Sequence, residues 1–217
     1  MGKKKTSSSG IKLLLEAMVL EKNIQIEVIK GLIKDGYEKQ AVFSVFNSMD
    51  DVENENAVEN LVKNENVLRA VYDSLLRKAK IALYQAGRRY GLDDKLTQIF
   101  DENSDSADYR ASLAPGSSSP SSKKVLEYVA CAETAALMAG EVGLIYVPVA
   151  VLNGKDVNDV CEQISLSLHR MREAIGLVVR YFDKKDKNKG CCSLLTVLDA
   201  VNSAYYEKKD RDIVVTK

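Results

Sequence analysis

The three prolines of this chain stand at 115, 120 and 148, so its first 114 residues contain none. Proline removes an amide donor and clashes with the preceding helical turn, so a long stretch without it is free to be helical. Apolar residues through that stretch recur at spacings of three and four, the period of a helix with one buried side. Hydrophobic residues make up 46% of the chain and charged residues 29%, which is enough apolar material for a real core. The class implied is mainly α, with two helical bundle-like halves and one short β-strand or hairpin in the C-terminal half.

Residues 1–10 (MGKKKTSSSG) are read as a flexible basic arm. Residues 11–102 form an N-terminal helical region. Its first helix covers 11–35, with Leu15, Val19, Ile26, Ile29 and Ile33 along one side and Gly36 as the stop. A short helix follows with Ala41, Val42, Val45 and Phe46 inward. Ser48, with acids just beyond it, reads as the cap of a helix running to Tyr90 and ended by Gly91. Its stripe is Leu61, Leu68, Tyr72, Leu75, Ala79, Ala82 and Ala86. A further short helix is expected within 92–102.

Residues 103–124 hold the Ser/Pro/Gly-rich stretch and are read as a linker or long loop. The C-terminal region, 125–217, opens with a helix whose small-residue face is Val125, Val129, Ala132, Ala136 and Ala139, ended by Gly140 and Gly143. The run LIYVPVAVL, 144–152, reads as a strand confined to an edge or bulge by Pro148. Asn153-Gly154 is a turn signal and Asp156 a cap. The next helix carries Val157, Cys161, Ile164, Leu168, Met171, Ile175, Val178 and Phe182 at alternating gaps of four and three. A last helix with Leu194, Leu198, Val201 and Tyr205 inward should fold back on it as a hairpin. The tail residues Ile213, Val214 and Val215 are candidates to pair with the 144–152 strand.

Lys+Arg and Asp+Glu both total 31, so the net charge is zero, which argues against a protein that coats nucleic acid all over. A local basic face is compatible with it. The 48–90 segment begins acidic, with Asp50, Asp51, Glu53, Glu55 and Glu59, and then carries Arg69, Arg77, Lys78, Lys80, Arg88 and Arg89 against the one acid Asp73. On a continuous helix at about 100° per residue, Arg77 and Arg88 fall about 20° apart, as do Lys78 and Arg89. Arrays of this kind bind phosphates, for which the planar guanidinium is well shaped. The plainer reading is a solvated face that complements the helix dipole.

His169 is the only histidine, and Glu162 and Glu173 share its helical face. An exposed His–Glu pair four residues apart accounts for it more simply than a metal site. The four cysteines, Cys131, Cys161, Cys191 and Cys192, lack zinc spacing and a CxxC pair, and read as reduced structural thiols. The lysines around Cys191 and Cys192 would favour a thiolate there, as in a reactive-thiol enzyme. Gly2 fits the loose myristoylation pattern, although a lysine follows it directly. Phosphate loops, dinucleotide fingerprints and nucleophile elbows are missing, and no cofactor is implied.

The segments Gly36-Tyr37, Val45-Phe46, Val52-Glu53 and Ala57-Val58-Glu59-Asn60-Leu61 faintly resemble a ubiquitin-associated three-helix domain over about a fifth of the chain. The pattern departs from that family by residues inserted between Glu53 and Ala57 and by a third helix read as far longer. Nothing of the family's activity is carried over.

The expectation is therefore a non-catalytic helical subunit of a larger complex in the cytoplasm, with other protein subunits or further copies of itself as partners. A nucleoprotein role would use the Arg77/Lys78/Arg88/Arg89 face, with Arg69 and Lys80 beside it, on RNA or DNA phosphates. The alternative is a purely protein-binding scaffold, and a thiol- or metal-dependent enzyme ranks last. A membrane is not an expected partner.

Overall fold

The computed structural model describes residues 7–100 and 119–186, with side chains from Glu16 onward. Among the described residues there are seven α-helices: α1 (Ser7–Lys34), α2 (Lys39–Met49), α3 (Glu55–Lys63), α4 (Glu65–Gly87), α5 (Asp93–Phe100), α6 (Ser122–Leu152) and α7 (Val157–Asp186). One 3-10 turn, Arg88–Tyr90, follows α4. The mainly helical reading holds.

The core is built on α4 and α6, which pack together more extensively than any other pair, with α7 and α1 against them. The expected α4 stripe is buried throughout: Leu68, Ala79 and Ala86 are fully covered, and Leu61 on α3 is nearly so. Val125, Val129, Ala132 and Ala139 on α6 face it, so chain on both sides of the 103–124 segment shares one hydrophobic core.

The helix read from Ser48 to Tyr90 is broken into the end of α2, then α3, α4 and the 3-10 turn. Ser48 does not cap it but lies buried in α2, where its hydroxyl oxygen accepts a 2.8 Å hydrogen bond from the Asn60 amide. Asn54 caps α3 instead, its side chain accepting from the Asn56 amide. Asn64 makes the break between α3 and α4, donating to the carbonyl and side-chain oxygens of Asn60. Asparagine competes for backbone partners in this way, which is why it ends helices that periodicity alone would continue.

The strand expected at 144–152 is overturned: those residues are the last turns of α6. Gly140 and Gly143 lie inside this helix. A Cβ on Gly143 would stand 3.1 Å from Ile164 Cγ2 and 3.4 Å from Tyr72 Cε2, so the glycine is there for close approach of three helices. Local β propensity favoured a strand, but burial of Val142, Tyr146, Val149 and Ala150 at helical spacing outweighs it. Pro148 sits on the exposed side, where loss of one amide donor is tolerated.

The side of α1 expected to face the core is also corrected. Ile24, Val28 and Leu32 are buried, whereas Val19 is 60% and Ile26 is 47% exposed. Turn signals fared better. Gly36, Gly91 and Gly154 adopt φ of 97°, 65° and 84°, and Asp156 accepts the Asn158 and Asp159 amides. On α7 the expected stripe is buried at Met171, Val178 and Phe182 and half-buried against the core at Ile164, Leu168 and Ile175, whereas Val157 and Cys161 are exposed. The helix expected over 191–206, the 213–215 pairing, Gly2, Cys191 and Cys192 fall outside the described residues.

Candidate interaction surface

The six cations singled out by spacing are distributed over different surroundings. Arg77 and Lys78 lie on α4, and Arg88 and Arg89 lie in the 3-10 turn that follows it directly. Lys78 forms an ion pair with Glu27 of α1. Arg69 lies 3.7 Å from Asp73, and Lys80 sits 5.2 Å from the centre of the Phe100 ring.

Arg89 closes the end of the bundle. Its Nε and Nη2 donate to the two carboxylate oxygens of Asp186 at 3.0 and 2.9 Å, and its Nη1 donates to the Pro120 carbonyl at 2.9 Å. The Tyr90 hydroxyl donates to the same carboxylate at 2.6 Å. The Arg89 hydrogen bond, with that of Tyr90, pulls the Asp186 carboxyl down to about 2. Burial, with Asp186 alongside, pushes the Tyr90 phenol up.

A second polar knot fastens the opposite end. Tyr146 donates to Glu65 at 2.9 Å, and Lys155 donates to both Glu65 and the Tyr146 hydroxyl. Burial acts to raise the Glu65 pKa, but these hydrogen bonds outweigh it and the carboxyl is lowered. Both knots tie together helices that the sequence separates widely.

The fold leaves one apolar side of α6 partly uncovered, with Leu126 and Ala130 half-buried and Leu137, Leu144, Pro148 and Val151 exposed. On α6, Leu126, Ala130, Leu137, Leu144, Pro148 and Val151 fall within about 60° of one another on the side away from α4. Leu137 is 47% exposed, Leu144 78% and Leu152 65%. The stripe is flanked by α7, where Leu168 Cδ1 would lie 3.9 Å from a Cβ on Gly140. On the other flank is Glu141, whose carboxyl is raised by burial and by Glu21 of α1. At its far end Leu152 and Asn153 form an open groove with Val58, Glu59, Val62 and Lys63 of α3. Asn153 closes its floor by donating to the Val62 carbonyl at 2.9 Å. Sequence reading missed this surface because it took 144–152 for a strand; a helical wheel over 122–152 displays it.

By length and composition alone α6 is apolar enough to cross a bilayer, a test that core helices also pass. Elsewhere, His169 and Glu173 line an open groove between α5 and α7 with Lys95 and Arg170. No cluster of three metal-ligating side chains occurs among the described residues. Burial raises the Cys131 thiol, and Cys161 is exposed. No protein-family model matches the chain, and neither a curated protein nor a solved structure matches it.

Proposed function

We propose that this chain is a non-catalytic helical interaction subunit that docks another protein subunit on the C-terminal end of α6. The observation that carries this reading is the exposure of Leu144 and Leu152, at 78% and 65%, beside the α3 groove. Large aliphatic side chains grouped on a helix face and rimmed by polar residues are the usual material of a protein contact. A partner helix set into such a groove gains affinity from a few apolar anchors. Lys78 and Arg89 are engaged by Glu27 and Asp186, which favours protein contact over phosphate contact through those two side chains.

Size-exclusion chromatography with light scattering on the natively purified chain tests the reading, with absorbance recorded at 260 and 280 nm. A stoichiometric protein complex is expected, lost on Leu144→Asp plus Leu152→Asp while circular dichroism stays that of the wild type. A complex untouched by that double change overturns the assignment of this surface. Co-purified RNA or DNA, released by changing Arg77, Lys78, Arg88 and Arg89 to Glu, would put the nucleoprotein role in its place.

A further inference from the structure

The exposed apolar run at the end of α6 has acids at both of its ends. Glu141, Leu144, Pro148 and Leu152 fall within about 80° of one another on that helix and rise about 16 Å from first to last. All four are exposed, so Glu141 stands one turn ahead of Leu144 on the open side. Glu21 of α1 lies close by, and burial together with its charge raises the Glu141 carboxyl. Two carboxylates held this near each other favour a cation supplied from outside.

At the other end, Leu152 and Asn153 face Val58, Glu59, Val62 and Lys63 of α3 across the open groove. Glu55, Val58, Glu59 and Val62 fall within about 100° of one another on α3, so the apolar floor of the groove has carboxylates along its edge. Lys63 is the only cation among the lining residues, and Asp50, Asp51 and Glu53 are exposed just ahead of α3. Lys155, in the turn after α6, is held by Glu65. Glu21, Glu55, Glu59 and Glu141 form no ion pair among the described residues. The two acidic ends lie about 16 Å apart, the length of about 11 helical residues.

We infer, on the docking reading above, that the segment seated on this surface is a basic amphipathic helix of another protein. About three turns of its apolar face cover Leu144 to Leu152 and enter the α3 groove. Lys or Arg at one end meets Glu141 with Glu21, and Lys or Arg at the other meets Glu55 with Glu59. The apolar run supplies the affinity and the acids choose the partner, because they repel an acidic helix and an anionic bilayer surface alike.

Fluorescence anisotropy of labelled synthetic peptides with the full-length chain tests this. The probe is an alanine-based helix of about 16 residues, with leucines at alternating gaps of four and three and lysines at both ends. A matched peptide carries glutamates in place of the lysines. The lysine peptide should bind at least about tenfold more tightly than the glutamate peptide, with the difference shrinking as salt rises from about 0.05 M to about 0.5 M. Leu144→Asp with Leu152→Asp should abolish its binding. Glu59→Gln with Glu141→Gln should cut the preference to about threefold or less, with circular dichroism unchanged. Failure of the lysine peptide to bind, equal binding of the two peptides, or binding that survives the leucine changes overturns the inference. So does a preference that survives the glutamine changes. Sedimentation with phosphatidylcholine vesicles that the leucine changes abolish would make a bilayer the occupant and also overturn it. A native protein complex lost on the leucine changes but indifferent to the glutamine changes leaves the docking surface in place and removes only the basic partner.

Discussion

Arg89 and Asp186, distant in sequence, meet through two parallel hydrogen bonds of 3.0 and 2.9 Å, and this pairing ties α7 to the 3-10 turn. Bidentate guanidinium–carboxylate pairs are directional as well as attractive, so they set a register that apolar packing leaves loose. Arg89→Ala should lower the melting temperature by a few degrees, measured by circular dichroism. Arg89→Lys should rescue little of it, because an ammonium cannot span both oxygens.

The same pair predicts an acid dependence. The Asp186 carboxyl is held at about 2, below its unfolded value, so its ionised form stabilises the fold. That contribution is present above the unfolded pKa and is lost as pH falls through the folded one. Wild type and Asp186→Asn should therefore differ in stability by a constant amount above about pH 5. The difference should shrink between about pH 4 and pH 2. Urea titrations at stepped pH read it directly, and a gap that widens with acid would contradict the assignment.

Two glycines inside helices should respond in opposite ways. A Cβ on Gly31 meets nothing within 4 Å, so Gly31→Ala should stabilise by roughly 0.5–1 kcal/mol through helix propensity. Gly143 touches Ile164 and Tyr72, so Gly143→Val should destabilise by about 1–3 kcal/mol through overpacking. Chemical denaturation of both variants decides the matter.

The α7 stripe should divide by position. Met171 is 1% exposed, and Met171→Ala should cost about 2–5 kcal/mol. Val157 is 46% exposed, and Val157→Asp should leave thermal stability and helicity nearly unchanged. Equal losses in the two variants would mean that the first turns of α7 are buried by something further.

In the far polar knot, Tyr146→Phe removes the hydroxyl that donates to Glu65 and accepts from Lys155. About 1 kcal/mol should be lost, the scale of one partly buried hydrogen bond. Lys155→Met should shift the Glu65 carboxyl upward, because its strongest lowering contact disappears. Carbon-detected NMR titration of Glu65 follows that shift.

Helical class, the α4 stripe from Leu68 to Ala86, the glycine stops at 36, 91 and 154 and the Asp156 cap were all legible in the sequence. Each depends on a period or on one residue's own backbone preference, which act within a turn or two. Tertiary structure decided the rest. It made 144–152 helical, because burying Tyr146 and Val149 against neighbouring helices outweighs the β preference of a Val/Ile-rich run. It turned α1 so that Ile24, Val28 and Leu32 face inward rather than the equally apolar Val19 and Ile26. The spacing of that helix does not say which side meets α4 and α6. Tertiary structure also paired Arg89 with Asp186 and Lys78 with Glu27, partners that no local pattern names. Ion pairs between distant segments form only after the chain has packed, so one-dimensional spacing overstates how many charges face solvent together.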